Sequence, residues 1–369
     1  MKIVIDLRIF GPKPGGLGRY NQKFLEELIK LDKNNRYILL FRQDPKLELP
    51  DNFEIKIFDC QWYSLKEQIV LPFVLKKIKP DLVHFPHFNV PKFFNGKFIV
   101  TIHDLIMTKF PSRKASTLNG LFFGIKYWMY NIVIRHAIKK SKKIIAVSKF
   151  TAKDIVKHFV LSKTEEQKIN VIHEGLTVPA ATMEKKIYLP SKFFLYVGNA
   201  YPHKNLEFLV EVFKDFLKTH PDFYLVLVGQ RNYFYERLKK HTVQLFGENL
   251  DRVVFTDFIE DVELGTYYNK ATAYVFPSLY EGFGLPPLEA MAYELPIISS
   301  NTSSLPEILG DAALYFNPEN KDDLLDKMKE IITNTELRKN LKIKGHQQIK
   351  KYSWSKMAKE IIEVYNKSN

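Results

Sequence analysis

Short apolar runs alternate with amphipathic stretches along the whole chain. In the first half the runs KIVIDL, YILLF, LVHFP, KFIVTIHDL, KIIAVS and INVIHEG are rich in Ile, Val, Leu and Phe, the composition of strands covered on both faces. Between them, NQKFLEELIKL and KFTAKDIVKHF repeat apolar residues at three- and four-residue spacing, which predicts helices. After Gly175 the segment TVPAATMEKKIYLP carries two prolines and no period, which reads as a linker. A second series follows: strands FFLYVGN, YLVLVGQ, VVFTDFI, AYVFPS and PIISSN, interleaved with helices LEFLVEVFKDFLKTH, YFYERLKKHTVQLF, VELGTYYNKA and PLEAMAYEL. Such alternation predicts an α/β protein of two doubly wound, Rossmann-like domains, residues 1–176 and 191–350 joined by a linker at 177–190. In such sheets ligands bind beyond the carboxyl ends of the strands, so the residues just after each strand are the informative ones.

Length and composition agree with this reading. The chain has 369 residues, 46% hydrophobic and 26% charged, which suits about two domains of 100–200 residues and excludes disordered or fibrous classes. A single cysteine, Cys60, makes no internal disulfide and suits a reducing compartment. The N-terminus MKIVIDLRIF places Asp6 where a secretory signal would be apolar, so it reads as a first strand and the protein is expected in the cytoplasm. A membrane span is not expected, because the best candidate, Ala115 to Ile134, is interrupted by Asn119, Lys126 and Asn131.

The net charge of +14 is uneven, with 31 Lys+Arg against 16 Asp+Glu in residues 1–180 and 24 against 25 afterwards. Residues 101–150 hold ten Lys+Arg with Asp104 as the one acid, next to the aromatic stretch LFFGIKYWMYNIVIR. Two readings of residues 109–143 stay open: a domain helix with a solvated cationic tail, or peripheral contact with an anionic membrane. Nucleic acid is not an expected partner, since no recognition motif accompanies the charge.

The strand ends carry the candidate chemistry. After the first strand, Gly11-Pro-Lys-Pro-Gly15-Gly16-Leu-Gly18 opens onto a helix, where glycines let backbone amides approach an anion. The spacing fits neither GxGxxG nor the P-loop, and a plain glycine turn explains it equally well. His103-Asp104 ends strand KFIVTI. His84 and His87 tempt a metal reading, but HxxH without a third ligand is poor evidence, and packing or substrate contact is expected. Asp261 reads as a helix cap. The strongest signal is FPSLYEGFGLPPLEA: Glu281 follows a strand, Gly282 and Gly284 allow close backbone approach, and Pro286 or Pro287 starts a helix with free amides. Glu289 is expected in that helix's first turn, so two carboxylates flank one phosphate seat. In the sequence AYPHKN, Lys204 precedes a helix, where a cation opposes the dipole unless an anion binds.

These residues resemble the retaining nucleotide-sugar glycosyltransferases of family 4, which have the GT-B fold of two Rossmann-like domains facing across a cleft. The hallmark is Glu-x7-Glu, met by Glu281 and Glu289. Gly15-Gly16-x-Gly18, His103-Asp104-Leu105, Ala146-Val147-Ser148, His173-Glu174-Gly175-Leu176, Val197-Gly198 through Lys204-Asn205, and Ser304-Leu305-Pro306-Glu307 accompany it. The resemblance implies that Glu281 contacts the donor sugar, that Gly282, Phe283, Gly284 and Leu285 offer amides to sugar and phosphate, and that Glu289 holds the ribose. It further implies that Lys204 neutralises the pyrophosphate, that Gly16 lets its loop close on the donor, and that His103 sits by the reacting face of the sugar. Backbone near Phe258 and Ile259 would read the base, and the helix in residues 351–369 would cross back to the first domain. Many relatives carry an arginine where this chain has Asn199, and His203 or Arg19 is the candidate substitute.

The implied activity is retaining transfer of a hexose from a nucleotide-diphosphate sugar to a saccharide or lipid-linked acceptor in bacterial cell-surface polysaccharide synthesis. No cofactor or metal is called for, because a cation and helix amides already face the phosphates. Similarity of LVHFPHFNVP and HDL to polysaccharide enzymes suggests mannose from GDP-mannose, with UDP-sugars close behind. A phosphorylase or epimerase on the same fold, and a non-catalytic sugar-nucleotide binder, are the alternatives.

Overall fold

The computed structural model describes residues 1–12, 15–110, 120–178 and 188–368, without the side chains of 120–123, 248–249 and 261–262. Parts of the glycine loop, of the linker 177–190 and of the basic segment 109–143 therefore lie outside the described residues. The chain divides into two compact units, Met1–Gly175 with Ser353–Asn369, and Leu176–Tyr352.

In the first unit, among the described residues, seven parallel strands form one sheet: β1 (Lys2–Asp6), β2 (Arg36–Phe41), β3 (Phe53–Ile57), β4 (Leu82–Phe85), β5 (Phe98–Ile102), β6 (Lys143–Ala146) and β7 (Ile169–Val171), in the order β3-β2-β1-β4-β5-β6-β7. The order reverses at β1, so the crevice of this unit opens between the ends of β1 and β4. Helices start where short polar side chains take up free amides: Ser64 accepts from Glu67 N–H ahead of helix Leu65–Ile78, and Ser148 from Thr151 N–H ahead of helix Lys149–Phe159. The last helix, Trp354–Asn366, is capped by Ser353. Its Met357, Ala358, Ile361, Val364 and Tyr365 join Ile3, Ile5, Tyr20, Phe24 and Leu39 in one core. Trp354 is only partly buried there. A Cβ at Gly175 would lie 2.2 Å from the Trp354 backbone nitrogen, which explains the glycine.

The second unit holds, among the described residues, six parallel strands: β8 (Phe193–Val197), β9 (Tyr224–Val228), β10 (Val253–Phe255), β11 (Ala273–Phe276), β12 (Ile297–Ser300) and β13 (Ala313–Phe316), ordered β10-β9-β8-β11-β12-β13. Its switch point lies between β8 and β11. Helix Leu206–Leu217 buries Leu206, Leu209, Val210, Phe213 and Phe216 at the expected spacing. Strands β3 and β13 are additions to the sequence reading. FEIKI and ALYF are both edge strands of mixed exposure, so neither shows the wholly buried pattern of the central strands. One helix starts a residue earlier than expected, since the position before helix Asp261–Lys270 is Glu260 and not Asp261.

No helix among the described residues is long and apolar enough to cross a membrane. Helix Gly120–Lys140 buries Tyr130, Val133, Ile134, Ala137 and Ile138 and exposes Ile125 and Trp128.

Candidate functional site

The two central strands of the second sheet, β8 and β11, end side by side, and the loops that follow them converge. After β8 the chain makes a tight turn at Pro202–Lys204 and enters helix Leu206–Leu217 through Asn205, held in the left-handed region at φ 60°. Lys204 thus sits before the helix. Its Nζ donates to Glu281 Oε1 at 2.6 Å, with the two side chains only 13% and 9% exposed, and lies 5.4 Å from the Phe276 ring centroid. The Leu279 N–H donates to the His203 carbonyl at 2.7 Å, tying one loop to the other. Serines from the next loop fix the carboxylate's backbone. The Glu281 N–H donates to Ser303 Oγ, and Ser304 Oγ donates to the carbonyls of Glu281 and Phe283, all within 3.1 Å.

Gly284 has φ 99°, and a Cβ there would stand 2.9 Å from Leu305 Cδ2. That kink aims helix Leu285–Ala292 with its N-terminus at the crevice. Leu285 is its first residue and Pro286 its second, which a missing N–H tolerates. Glu289, expected in the first turn, stands in the second, because the helix starts at Leu285 and its first turn has no acid. Tyr268 Oη donates to Glu289 Oε2 at 3.1 Å. Phe283, whose amide adjoins Gly284, is buried edge-on against Tyr352 at 5.4 Å. Glu281, Gly282, Phe283, Gly284, Leu285 and Lys204 are therefore one locality.

Three tyrosines give that locality a rigid floor that the sequence did not disclose. Tyr274 Oη donates to the Val197 carbonyl at 3.0 Å, Tyr235 Oη to Gly198 at 2.8 Å, and Tyr196 Oη to Asn199 at 2.7 Å. Three consecutive carbonyls at the end of β8 are thus satisfied from within. The Asn199 side chain accepts from the Tyr201 N–H at 3.3 Å. His203 is buried, and burial, helped by the Lys204 charge, pushes its imidazole down to about 4. At that value the ring is neutral near pH 7. Phe258 and Ile259 lie in the loop after β10, the edge strand, with β9 between it and β8; Phe258 is 70% exposed.

Gly16 and His103 belong to the first unit. Gly16 opens helix Gly16–Leu31 at the end of β1, after Gly15 at φ 82°, and a Cβ at Gly16 would meet open space. His103 follows β5. Its Nδ1 faces Glu174 Oε1 at 3.0 Å, its Nε2 faces the Pro86 carbonyl at 3.0 Å, and Tyr20 packs edge-on at 4.6 Å. Both ring nitrogens meet acceptors, which only the doubly protonated ring satisfies. Burial lowers the pKa, but Glu174 outweighs it and the net direction is up. Glu174, matched in the sequence without a role, is the partner. His84 is structural: it is fully buried between Tyr365 Oη at 2.7 Å and Thr101 Oγ1 at 2.9 Å.

Comparison with known proteins agrees in both units. Residues 14–178 match the family described as Glycosyltransferase Family 4, and residues 181–348 match Glycosyl transferases group 1. The O-antigen chain mannosyltransferase RfbU of Salmonella typhimurium is 29% identical over 271 residues, 73% of this chain and 70% of RfbU. The serotype-specific mannosyltransferase WbdA of Escherichia coli is 27% identical over 296 residues, 77% of this chain but only 35% of WbdA. Among solved structures, sucrose-phosphate synthase from Thermosynechococcus elongatus superposes with a TM-score of 0.75 at 20% identity, covering 100% of this chain and 98% of that one. With two parallel α/β units and both family matches in register with them, the chain belongs to the family 4 glycosyltransferases of GT-B fold.

Proposed function

We propose that the protein is a retaining, metal-independent hexosyltransferase that moves mannose from GDP-mannose to a saccharide or lipid-linked acceptor in bacterial cell-surface polysaccharide synthesis. The observation that carries this reading is the buried Lys204–Glu281 pair at the switch point of the second sheet, beside the N-terminus of helix Leu285–Ala292. An arriving diphosphate competes with Glu281 for the ammonium and gains the helix amides. The freed carboxylate then accepts hydroxyls of the donor hexose, while Glu289 takes the ribose. Gly282, Phe283 and Gly284 bring their backbone close to sugar and phosphate, Asn199 and His203 line the turn below, and Phe258 and Ile259 present main-chain groups to the base. The names of RfbU and WbdA favour mannose.

Breaking the sugar–phosphate bond leaves an oxocarbenium-like carbon and a diphosphate that gains negative charge, so stabilising that charge supplies most of the barrier reduction. Lys204 and the helix amides do this without a divalent ion. His103 is assigned to the side of the reacting sugar, its ring held in place by Glu174 and the Pro86 carbonyl. No carboxylate is assigned as a covalent nucleophile, so retention proceeds by a front-face route.

The test is product analysis by NMR after incubation with GDP-mannose or UDP-hexoses and a mannoside acceptor, in the presence of EDTA. An α-linked product from an α-donor supports retention without metal. A β-linked product, or activity abolished by EDTA and restored by Mg²⁺, contradicts it. Hexose 1-phosphate formed from an oligosaccharide and inorganic phosphate would identify a phosphorylase instead.

A further inference from the structure

Buried polar atoms without a hydrogen-bond partner are uncommon and call for an explanation. Three of them gather in one part of the first unit: Trp62 Nε1, His87 Nδ1 and Asn89 Oδ1. His87 and Asn89 follow β4, one side of that sheet's switch point, and Trp62 lies on the turn before helix Leu65–Ile78. The rings of Trp62 and His87 are 5.2 Å apart. Glu67 ties the group together, accepting from Asn89 Nδ2 and from the Tyr63 N–H, each at 2.8 Å. Its other oxygen takes Arg8, which also pairs with Asp6 and lies 5.6 Å from the Trp62 ring.

Two further features mark the place as built for a ligand. Tyr63 is 52% exposed and holds φ 60°, a left-handed conformation rare for an aromatic residue and typical of functional loops. Its ring lies 6.2 Å from that of His87. The charge is also wrong for an anion. Arg8 is spent on two carboxylates, and burial together with the nearby charge of His103 pushes the His87 imidazole down to about 3, leaving it neutral. What remains is one donor on Trp62, one acceptor on Asn89 and an imidazole able to do either, set among aromatic rings. A hydroxyl both donates and accepts, and the C–H face of a pyranose packs on aromatic rings.

We propose that Trp62, His87 and Asn89, with the exposed Tyr63 ring, form the subsite for an uncharged hexose of the acceptor, entered by movement of the turn that carries Trp62 and Tyr63. This rests on the glycosyltransferase reading, and it makes the acceptor's recognised end a neutral sugar and not a phosphate.

Trp62→Phe and His87→Phe each keep an aromatic ring and remove the polar atoms. Saturation-transfer NMR with methyl α-mannoside and methyl α-glucoside is the direct probe, and transfer to whichever methyl hexoside serves as acceptor gives the kinetics. Each variant is expected to lose most of the hexoside signal and to raise the acceptor KM about tenfold, with the donor KM and the thermal midpoint close to wild type. Signals that persist in both variants, an unchanged acceptor KM, or displacement of the hexoside by an equal concentration of inorganic phosphate would overturn the subsite. Hexoside binding that the variants abolish, in a chain that transfers nothing from any nucleotide-sugar, would uphold the sugar site and sink the glycosyltransferase reading.

Discussion

Lys204 and Glu281 are separated by 77 positions in the chain and by 2.6 Å in space. Each was readable alone, because each stands just past a strand end, but their pairing depends on β8 and β11 being sheet neighbours, which no local pattern states. Replacing Lys204 by Ala removes the ammonium that meets the diphosphate, so kcat is expected to fall by about 10²–10³, the usual cost of one donor at a developing anion, as steady-state assays with GDP-mannose would measure. Lys204→Arg should recover only part of this, since the fork does not fit a point-charge site. The tyrosine floor was illegible for the same reason, as two tyrosines in strand runs and one on the buried face of an amphipathic helix look like ordinary core. Tyr235→Phe leaves the Gly198 carbonyl without its donor. The expected result is several-fold weaker nucleotide binding by calorimetry at a cost of about 1–3 kcal/mol in stability. Unaltered affinity would assign Tyr235 to packing alone.

At the scale of elements, the strands at the sheet centres were legible as wholly buried apolar runs, whereas edge strands β3 and β13 and the half-exposed helices Leu65–Ile78, Lys321–Thr333 and Thr335–Ile349 were not. Boundaries slipped by a residue at Asp261 and by part of a turn at Glu289, because a helix start is decided by backbone conformation more than by the polar residue in view. Helix Leu285–Ala292 shows this: Gly284 at φ 99° sets its direction. Gly284→Ala must take up a conformation that costs an L-residue about 1–3 kcal/mol and press on Leu305. Thermal unfolding should report the loss, and nucleotide affinity should drop with it as the helix amides shift. A variant with a normal melting point would show that the kink carries no strain.

For the whole molecule, pH dependence follows from buried imidazoles. His84 is held at about 3 and His203 at about 4, both by burial. Their folded-state values lie below the ordinary 6.5, so the unfolded chain takes up protons first as the solution is acidified. The stability they contribute is complete above about pH 6.5 and is lost downward through pH 4, by about 1.4 kcal/mol per pH unit for each ring. His103 acts in the opposite sense. Raised above 6.5 by Glu174, it stabilises fully below about 6.5 and fades as pH rises past its folded value. Urea titrations from pH 8 to 4 should therefore show net acid destabilisation that His103→Gln makes steeper. Truncation after Tyr352 would remove Ile361, Val364 and Tyr365 from the first unit's core and leave His84 without the Tyr365 hydroxyl, and is expected to unfold that unit. The central claim is that the Lys204–Glu281 centre is the seat of a nucleotide-sugar diphosphate. Titration calorimetry of GDP-mannose and UDP-hexoses into the wild-type chain and Lys204→Ala tests it most directly: the claim requires saturable binding of one of these donors, weakened at least about tenfold in the variant. Equal affinity in the two proteins, or no binding by the wild type, would contradict it.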